Sequence, residues 1–346
     1  MWSYILKRIL LMIPTLFGIL TITFAVIQFV PGGPVEQMVY QLQGRNAAGE
    51  GPATAGAGYR GRQGVDAARI AEIRKLYGFD KPVHKRFAQM LGQFARFDLG
   101  KSFFHNDSVW HLIRQKLPVS ISLGMWSFLL TYLVSVPLGI AKAVRAGSRF
   151  DTATTLLVLT GYAIPSFVLG VLMLVLFAGG AFVQWFPLRG LTSGNWEQLT
   201  VMGKVMDYLW HIVLPVTAMV MGSFAVITIM TKNSVLEEIH KQYVLTARAK
   251  GLAERTVMWR HVFRNALIPI MTGFPAAFVG AFFSSSLLIE TLFSLDGLGL
   301  LSYESVIRRD YPVVLGSLFF FTLIGLVTTL IRDLSYLWVD PRVKYD

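Results

Sequence analysis

Between Gln242 and Ala266 the chain reads QYVLTARAKGLAERTVMWRHVFRNA, which sets Arg248, Lys250, Arg255, Arg260 and Arg264 among apolar residues. Cations at that density can neutralise nucleic-acid phosphates, hold anionic lipid headgroups, fix the side of a membrane on which a loop stays, or flank a docking surface. Covalent chemistry has no comparable support. There is no HExxH, GxSxG or GxxxxGK, and no Ser/His/Asp set at readable spacing. Cysteine is absent, which excludes disulfides, thiolate metal sites and a thiol nucleophile. The chain is therefore read as a non-enzyme with no catalytic, cofactor-binding or metal residues.

The elements that carry this stretch are set by composition. Of 346 residues, 54% are hydrophobic and only 15% charged, which places the chain among all-α integral membrane proteins. A hydrocarbon core roughly 30 Å thick asks for about 20 apolar residues at 1.5 Å per residue. Six runs meet that length: Ile9 to Val30, Val119 to Ala141, Ala153 to Val183, Tyr208 to Thr231, Ala266 to Leu292 and Val313 to Tyr336. Each must be helical, because backbone polar groups cannot face lipid unpaired. The first run ends in PGGP rather than at a small-x-small cleavage site, so it is read as retained.

An even number of spans puts both termini on one side. Lys7, Arg8, Lys142, Arg145, Arg149, the block from Lys232 to Arg264, Arg342 and Lys344 collect on that side, which makes it cytoplasmic. The short loops opposite hold only Arg189 and Lys204, and Arg308 and Arg309. The expected organisation is a segment 1–30 with the first span, a long loop 31–118 on the outer side, and a five-helix core 119–346. Within the long loop, 43–64 is a Gly/Ala-rich stretch too poor in large apolar residues to fold alone. Two short amphipathic helices follow, one through Ile70, Ile73, Leu76 and Tyr77, the other through Phe87, Met90, Leu91, Phe94 and Phe97.

Pro14, Pro137, Pro165, Pro215, Pro269 and Pro275 fall inside the spans, with Gly139, Gly161, Gly170 and Gly273. Proline bends a membrane helix and glycine permits close approach, a combination that suits a moving pathway and also ordinary packing. Charged residues are nearly missing from the span centres, so no coupling-ion site is offered; Glu290, Arg332 and Asp333 lie near ends.

The basic stretch then reads as two short helices, within a cytoplasmic loop at 233–265. Leu236, Ile239, Tyr243 and Ala247 form one apolar stripe, and Leu252, Thr256, Trp259 and Phe263 another. Gly251 stands between them, where a residue tolerant of positive φ lets the chain turn. Tethering to the membrane at both ends disfavours DNA binding, leaving a lipid-surface anchor and a protein-docking element. The small row Thr246, Ala247, Ala249 and Gly251 favours docking, since an anchor would place Leu or Phe there.

YVLTARAKGL followed by RHVFRNALIP resembles the EAA-type loop of binding-protein-dependent ABC transporter permeases of the dipeptide and oligopeptide class. The resemblance runs through KRILLMIPTLFGILTITFAVIQFVPGGP, LYGFDKP, FDLGKS, YAIPSFVLG, LLIETLFSLDGLGLL, RDYPVV and DLSYLWVDPRV, in that order. It implies one multi-pass subunit of a bacterial inner-membrane importer for peptides or peptide-like compounds. Its partners would be a second permease subunit, usually forming a heterodimer, two ATP-binding-cassette subunits and a periplasmic peptide-binding protein, with no nucleic acid. ATP would be held by the partner subunits, with no cofactor on this chain. Tyr243, Thr246, Ala247, Arg248, Ala249, Lys250 and Gly251 are implied as the coupling contact, with Arg264 and Asn265 supporting the loop.

Departures from the family pattern bear on substrate rather than on coupling. PGGP stands where PGDP is usual, Lys232 where arginine is commoner, and Thr329 where asparagine often precedes the last DLxY. These agree best with the Yej-type branch, associated with peptide and microcin C-like uptake. A metal chelate or oligosaccharide substrate on the same architecture, or a non-transporting receptor or anchor, are the alternatives.

Overall fold

The computed structural model describes residues 2–30, 33, 35, 75, 79–283 and 286–339. The Gly/Ala-rich stretch 43–64, the helix expected through Ile70 to Tyr77, and Arg342 and Lys344 lie outside them. The described residues form helices, with only an isolated bridge between Lys101 and Ser108. In chain order these are α1 (Trp2–Phe29), α2 (Val83–Phe94), α3 (Val109–Val144), α4 (Arg149–Ala163), α5 (Ser166–Phe177), α6 (Val201–Ile239) and α7 (Gln242–Ala249). They continue as α8 (Glu254–Ala266), α9 (Ile268–Ala281), α10 (Leu287–Leu292), α11 (Leu298–Arg308) and α12 (Tyr311–Val339).

Four of these helices, α1, α3, α6 and α12, are each long and apolar enough to cross a membrane. The count reaches six only if two bent pairs each make one span: α4 with α5, bent by 98°, and α8 with α9, bent by 52°. The expected third span, Ala153 to Val183, is thus not one rod. Pro165 removes an amide donor and holds Ile164 extended (φ −87, ψ 121), so the helix stops and restarts in a new direction. The expected fifth span, Ala266 to Leu292, is also interrupted, since α9 ends at Ala281 and α10 is separate. α3 and α6 extend past their expected limits, to 36 and 39 residues.

Two compact units make up the chain. One contains residues 9–115 and 301–323. There Met90 and Phe94 of α2 are buried as expected, and Phe94 meets Phe319 at 5.2 Å between ring centroids. Phe97, expected on the same stripe, lies beyond the helix end with φ +58 and is exposed. Asp310, fully buried, accepts hydrogen bonds from the Ser102 hydroxyl and the Phe103 N–H.

The other unit contains residues 1–8, 116–300 and 324–346. Its core joins Leu123 of α3, Leu174 of α5, Ile212 and Val216 of α6, and Ile289 and Phe293 around α10. Arg8 pairs with Asp333 at 2.6 Å, and the Tyr4 hydroxyl donates to the same carboxylate at 2.8 Å. Glu290 is fully buried with its Oε2 accepting the Leu300 N–H at 2.8 Å, so the acid occupies the positive N-terminus of α11. Gly297 leaves room for it: a Cβ there would stand 2.5 Å from the Glu290 carboxyl carbon.

Candidate functional site

The basic stretch is built on the end of α6. That helix runs eight residues past Thr231, its expected limit, to Ile239; Lys241 then turns extended (φ −73, ψ 148) and α7 begins. The stripe expected to be continuous from Leu236 to Ala247 is therefore divided by a corner at His240 and Lys241. α7 closes with a Schellman arrangement: the Gly251 N–H donates to Arg248 O at 2.9 Å and the Leu252 N–H to Ala247 O at 3.4 Å. Gly251 has φ +78, the left-handed conformation that closure requires.

α8 departs from the simple helix expected after the glycine. Val257–Val262 is a π segment, with i→i+5 bonding in place of i→i+4. An ideal helix turning about 100° per residue would place Arg260 and His261 beside Val257. The wider turn instead brings round Val262 and Phe263, and Val257, Val262, Phe263 and Ala266 are all buried. Trp259 and Leu252, read as members of the inward stripe, are exposed at 65% and 41%. Trp259 stays close to its neighbour, edge-on to Phe263 at 5.0 Å.

Val244 and Ala247 of α7 join those four residues in one apolar cluster, seated on Ala143 of α3 and Val235 of α6. Ala247 is only 5% exposed, so its smallness serves packing inside this chain. The expectation of an outward small-residue corner therefore narrows: Thr246, Ala249, Lys250 and Gly251 face outward, whereas Ala247 is turned into the cluster. Tyr243 is half-buried and its hydroxyl is a hub, its one proton donated to Glu238 with the His261 carbonyl at 3.2 Å as the alternative acceptor, and its oxygen accepting from Asn265 Nδ2 at 3.0 Å. Burial, reinforced by Glu238, pushes the Tyr243 phenol above its ordinary value. The bond to Tyr243 ties α8 to α7, and Asn265 also donates within α8 to His261 O at 3.3 Å. Arg264 is exposed and takes no part in that hub.

Arg248 reaches across the glycine corner to Glu254 with two bonds, Nη2 to Oε1 at 2.6 Å and Nε to Oε2 at 3.0 Å. The pairing holds the Glu254 carboxyl below its usual range. Both groups are solvent-accessible, where water and salt screen an ion pair, so the bridge bears on the angle of the corner more than on its stability.

Beside this floor lies an ionic group that the sequence reading did not single out. Asp151, in the first turn of α4, accepts from Lys232 Nζ at 2.8 and 2.7 Å, from the Gly147 N–H at 3.1 Å, and pairs with Lys142 Nζ at 3.1 Å. Lys142 also donates to the Asp151 carbonyl and to the Thr154 and Thr155 hydroxyls at 2.8, 2.8 and 2.6 Å. Gly139 makes the approach possible: a Cβ there would lie 2.6 Å from Thr231 Cβ and 2.7 Å from Thr228 O, so α3 and α6 touch backbone to side chain. Lys142 and Lys232, read in the sequence as loop charges, are thus largely withdrawn from solvent, with side-chain exposures of 1% and 20%.

Residues 135–345 match the family described as binding-protein-dependent transport system inner membrane component. Over its whole length the chain is 53% identical to the peptidoglycan transport system permease protein YejB of Agrobacterium fabrum, of which it covers 99%. It is 51% identical to the inner membrane ABC transporter permease protein YejB of Escherichia coli O157:H7, with both chains fully covered. With the di/tripeptide transport system permease protein DppB of Pseudomonas aeruginosa it shares 31% identity, over 100% of this chain and 99% of the relative.

Proposed function

Because the chain belongs to the family of binding-protein-dependent transport inner-membrane components, we propose that it forms half of the translocation path of an ATP-driven importer for peptides or peptide-bearing compounds. The family is one of transport permease subunits, multi-pass in the bacterial inner membrane. The peptide assignment rests on the relatives, one named for peptidoglycan and another for di- and tripeptides. Short peptide stems are common to both chemistries. Uptake of a microcin C-like peptide-nucleotide falls within the same class.

In this reading both termini and the segment from Gln242 to Ala266 face the cytoplasm. The segment docks one of two ATP-binding-cassette subunits, which hold the ATP, while a second permease subunit completes the path and a periplasmic binding protein delivers substrate. The observation that supports docking best is the construction of α7. One side, Val244 and Ala247, is locked into the chain's own apolar cluster, and the other presents Thr246, Ala249, Lys250 and Gly251 on a capped, rigid corner. A capped, exposed ridge on which Ala249 and Gly251 carry almost no side chain lets a groove close around the backbone there with little ordering cost.

Ala249→Trp tests this, because it adds bulk to the outward ridge and leaves the inward cluster untouched. The expected result is loss of the ATPase subunits from the detergent-solubilised complex, with the melting temperature of the permease unchanged. A lipid anchor predicts retention, since an interfacial Trp favours membrane contact. Undiminished copurification and uptake with Ala249→Trp would remove the docking role.

A further inference from the structure

Lys142, Asp151 and Lys232 place two ammonium groups on one carboxylate where three helices meet: the end of α3, the first turn of α4 and the final third of α6. Such a group is a poor stabiliser for its cost, because well-packed apolar residues commonly do as well in buried positions. What it supplies is direction. Apolar contacts can slide, whereas a carboxylate bonded to two ammoniums and a backbone N–H has one geometry.

Position gives that direction a use. Ala143 follows Lys142 in sequence, and Val235 lies three residues past Lys232, on the same side of α6 within one turn. Both belong to the apolar floor on which α7 and α8 rest. Asp151 lies at the start of α4, and α4 leads through the 98° bend at Ile164 and Pro165 into α5. α5 in turn packs closely on α10, where a Cβ on Gly170 would come 2.9 Å from Leu292 Cδ2. The ionic group therefore joins the floor of the basic corner to the more sharply bent of the two broken apolar helix pairs.

We propose that Asp151, with Lys142 and Lys232, is a positioning joint that makes the α4–α5 pair follow movement of the α7–α8 corner, so that ATP hydrolysis drives transport. The proposal rests on the reading of Gln242 to Ala266 as the ATPase-docking element. The joint holds no nucleotide and touches no substrate. Its task is to keep α4 in register with α3 and α6 while the corner is displaced.

The test uses the complete importer, with both permeases, both ATPases and the binding protein, reconstituted in liposomes. Uptake and ATP hydrolysis are measured on the same preparation. Asp151→Asn alone leaves two cations facing a neutral amide and can prevent folding. The double variant Asp151→Asn/Lys232→Met removes one charge of each sign and leaves Lys142 its carbonyl and two hydroxyl partners. The expected result is normal retention of the ATPase subunits, continued hydrolysis, and uptake per ATP reduced about tenfold or more, in the range of ordinary coupling energies. Lys232→Arg, which keeps both the charge and Asp151, should keep the wild-type ratio, and Lys232→Gln carries the same expected loss where the double variant does not assemble. Wild-type uptake per ATP in these charge-removing variants overturns the joint, as does a proportionate fall in both rates. If the wild-type complex retains no ATPase, the docking reading fails, and the joint with it, a result distinct from a fully coupled variant.

Discussion

Gly251 offers a prediction whose magnitude follows from its surroundings. A Cβ built there meets no heavy atom within 4 Å, so replacing the glycine creates no collision. The whole cost comes from φ +78. An L residue held in the left-handed region loses about 1–2 kcal/mol, and restricting the unfolded chain returns about 0.4–1 kcal/mol. Gly251→Ala should then weaken the corner by on the order of 1 kcal/mol, about a fivefold rise in its open population. Asn tolerates the conformation and should cost less, and Val, branched at Cβ, should cost more. Amide hydrogen exchange at residues 251 and 252, whose N–H groups close the Schellman arrangement, reads the population directly. The expected order of protection is Gly, Asn, Ala, Val, with uptake falling in the same order while membrane insertion persists. Equal protection in Gly and Ala would show that φ does not govern the corner. Asn as damaging as Val would point to an unseen steric contact and refute the conformational argument.

Gly139→Ala should behave in the opposite way, because its Cβ would collide with Thr231 and the Thr228 carbonyl; a loss of about 1–3 kcal/mol is expected, and an unchanged melting curve in detergent would contradict the close approach. Tyr243→Phe removes the hub between Glu238, His261 and Asn265 at a cost of about 1 kcal/mol. A double-mutant cycle with Asn265→Ala should give a coupling of about 0.5 kcal/mol or more, and strict additivity would mean the two act independently. Since the chain has no native cysteine, single cysteines report sidedness cleanly: one at Glu197 should react with an impermeant maleimide from the periplasmic side and one at Glu254 should not. Reversed labelling would overturn the cytoplasmic assignment of the corner.

Hydropathy located the apolar runs because burial in lipid requires length and composition, and α1, α3, α6 and α12 fall where those quantities place them. It could not show the bend at Pro165, since the residues on both sides are equally apolar and a window average passes over the break. Gly251 was legible for a local reason: only a left-handed residue can end α7 and start α8 so abruptly. Ala247 shows what a small side chain leaves open, since it signals close approach without saying to what, and here the neighbour is the chain's own Val244 cluster. The Asp151 joint left no local trace, as Lys142 and Lys232 sit on different helices and each resembles an ordinary positive flank of a span. The inward stripe of α8 was misplaced for a different reason, because a period of 3.6 was applied to a segment that does not keep it.

That segment has an implication for how the gene can change. A π turn holds one residue more than the turn it replaces, so Val257–Val262 behaves as a single-residue insertion retained within the helix instead of being extruded as a loop. Removing one exposed residue there, such as Arg260, would let the backbone relax to regular α-helix with Phe263 and Ala266 still on the inward side. The same deletion in α7 would rotate everything after it by about 100° and expose the Val244 and Ala247 face. Indel tolerance is thus divided sharply within a dozen residues, and changes of length along this corner are expected to accumulate on the α8 side of the glycine.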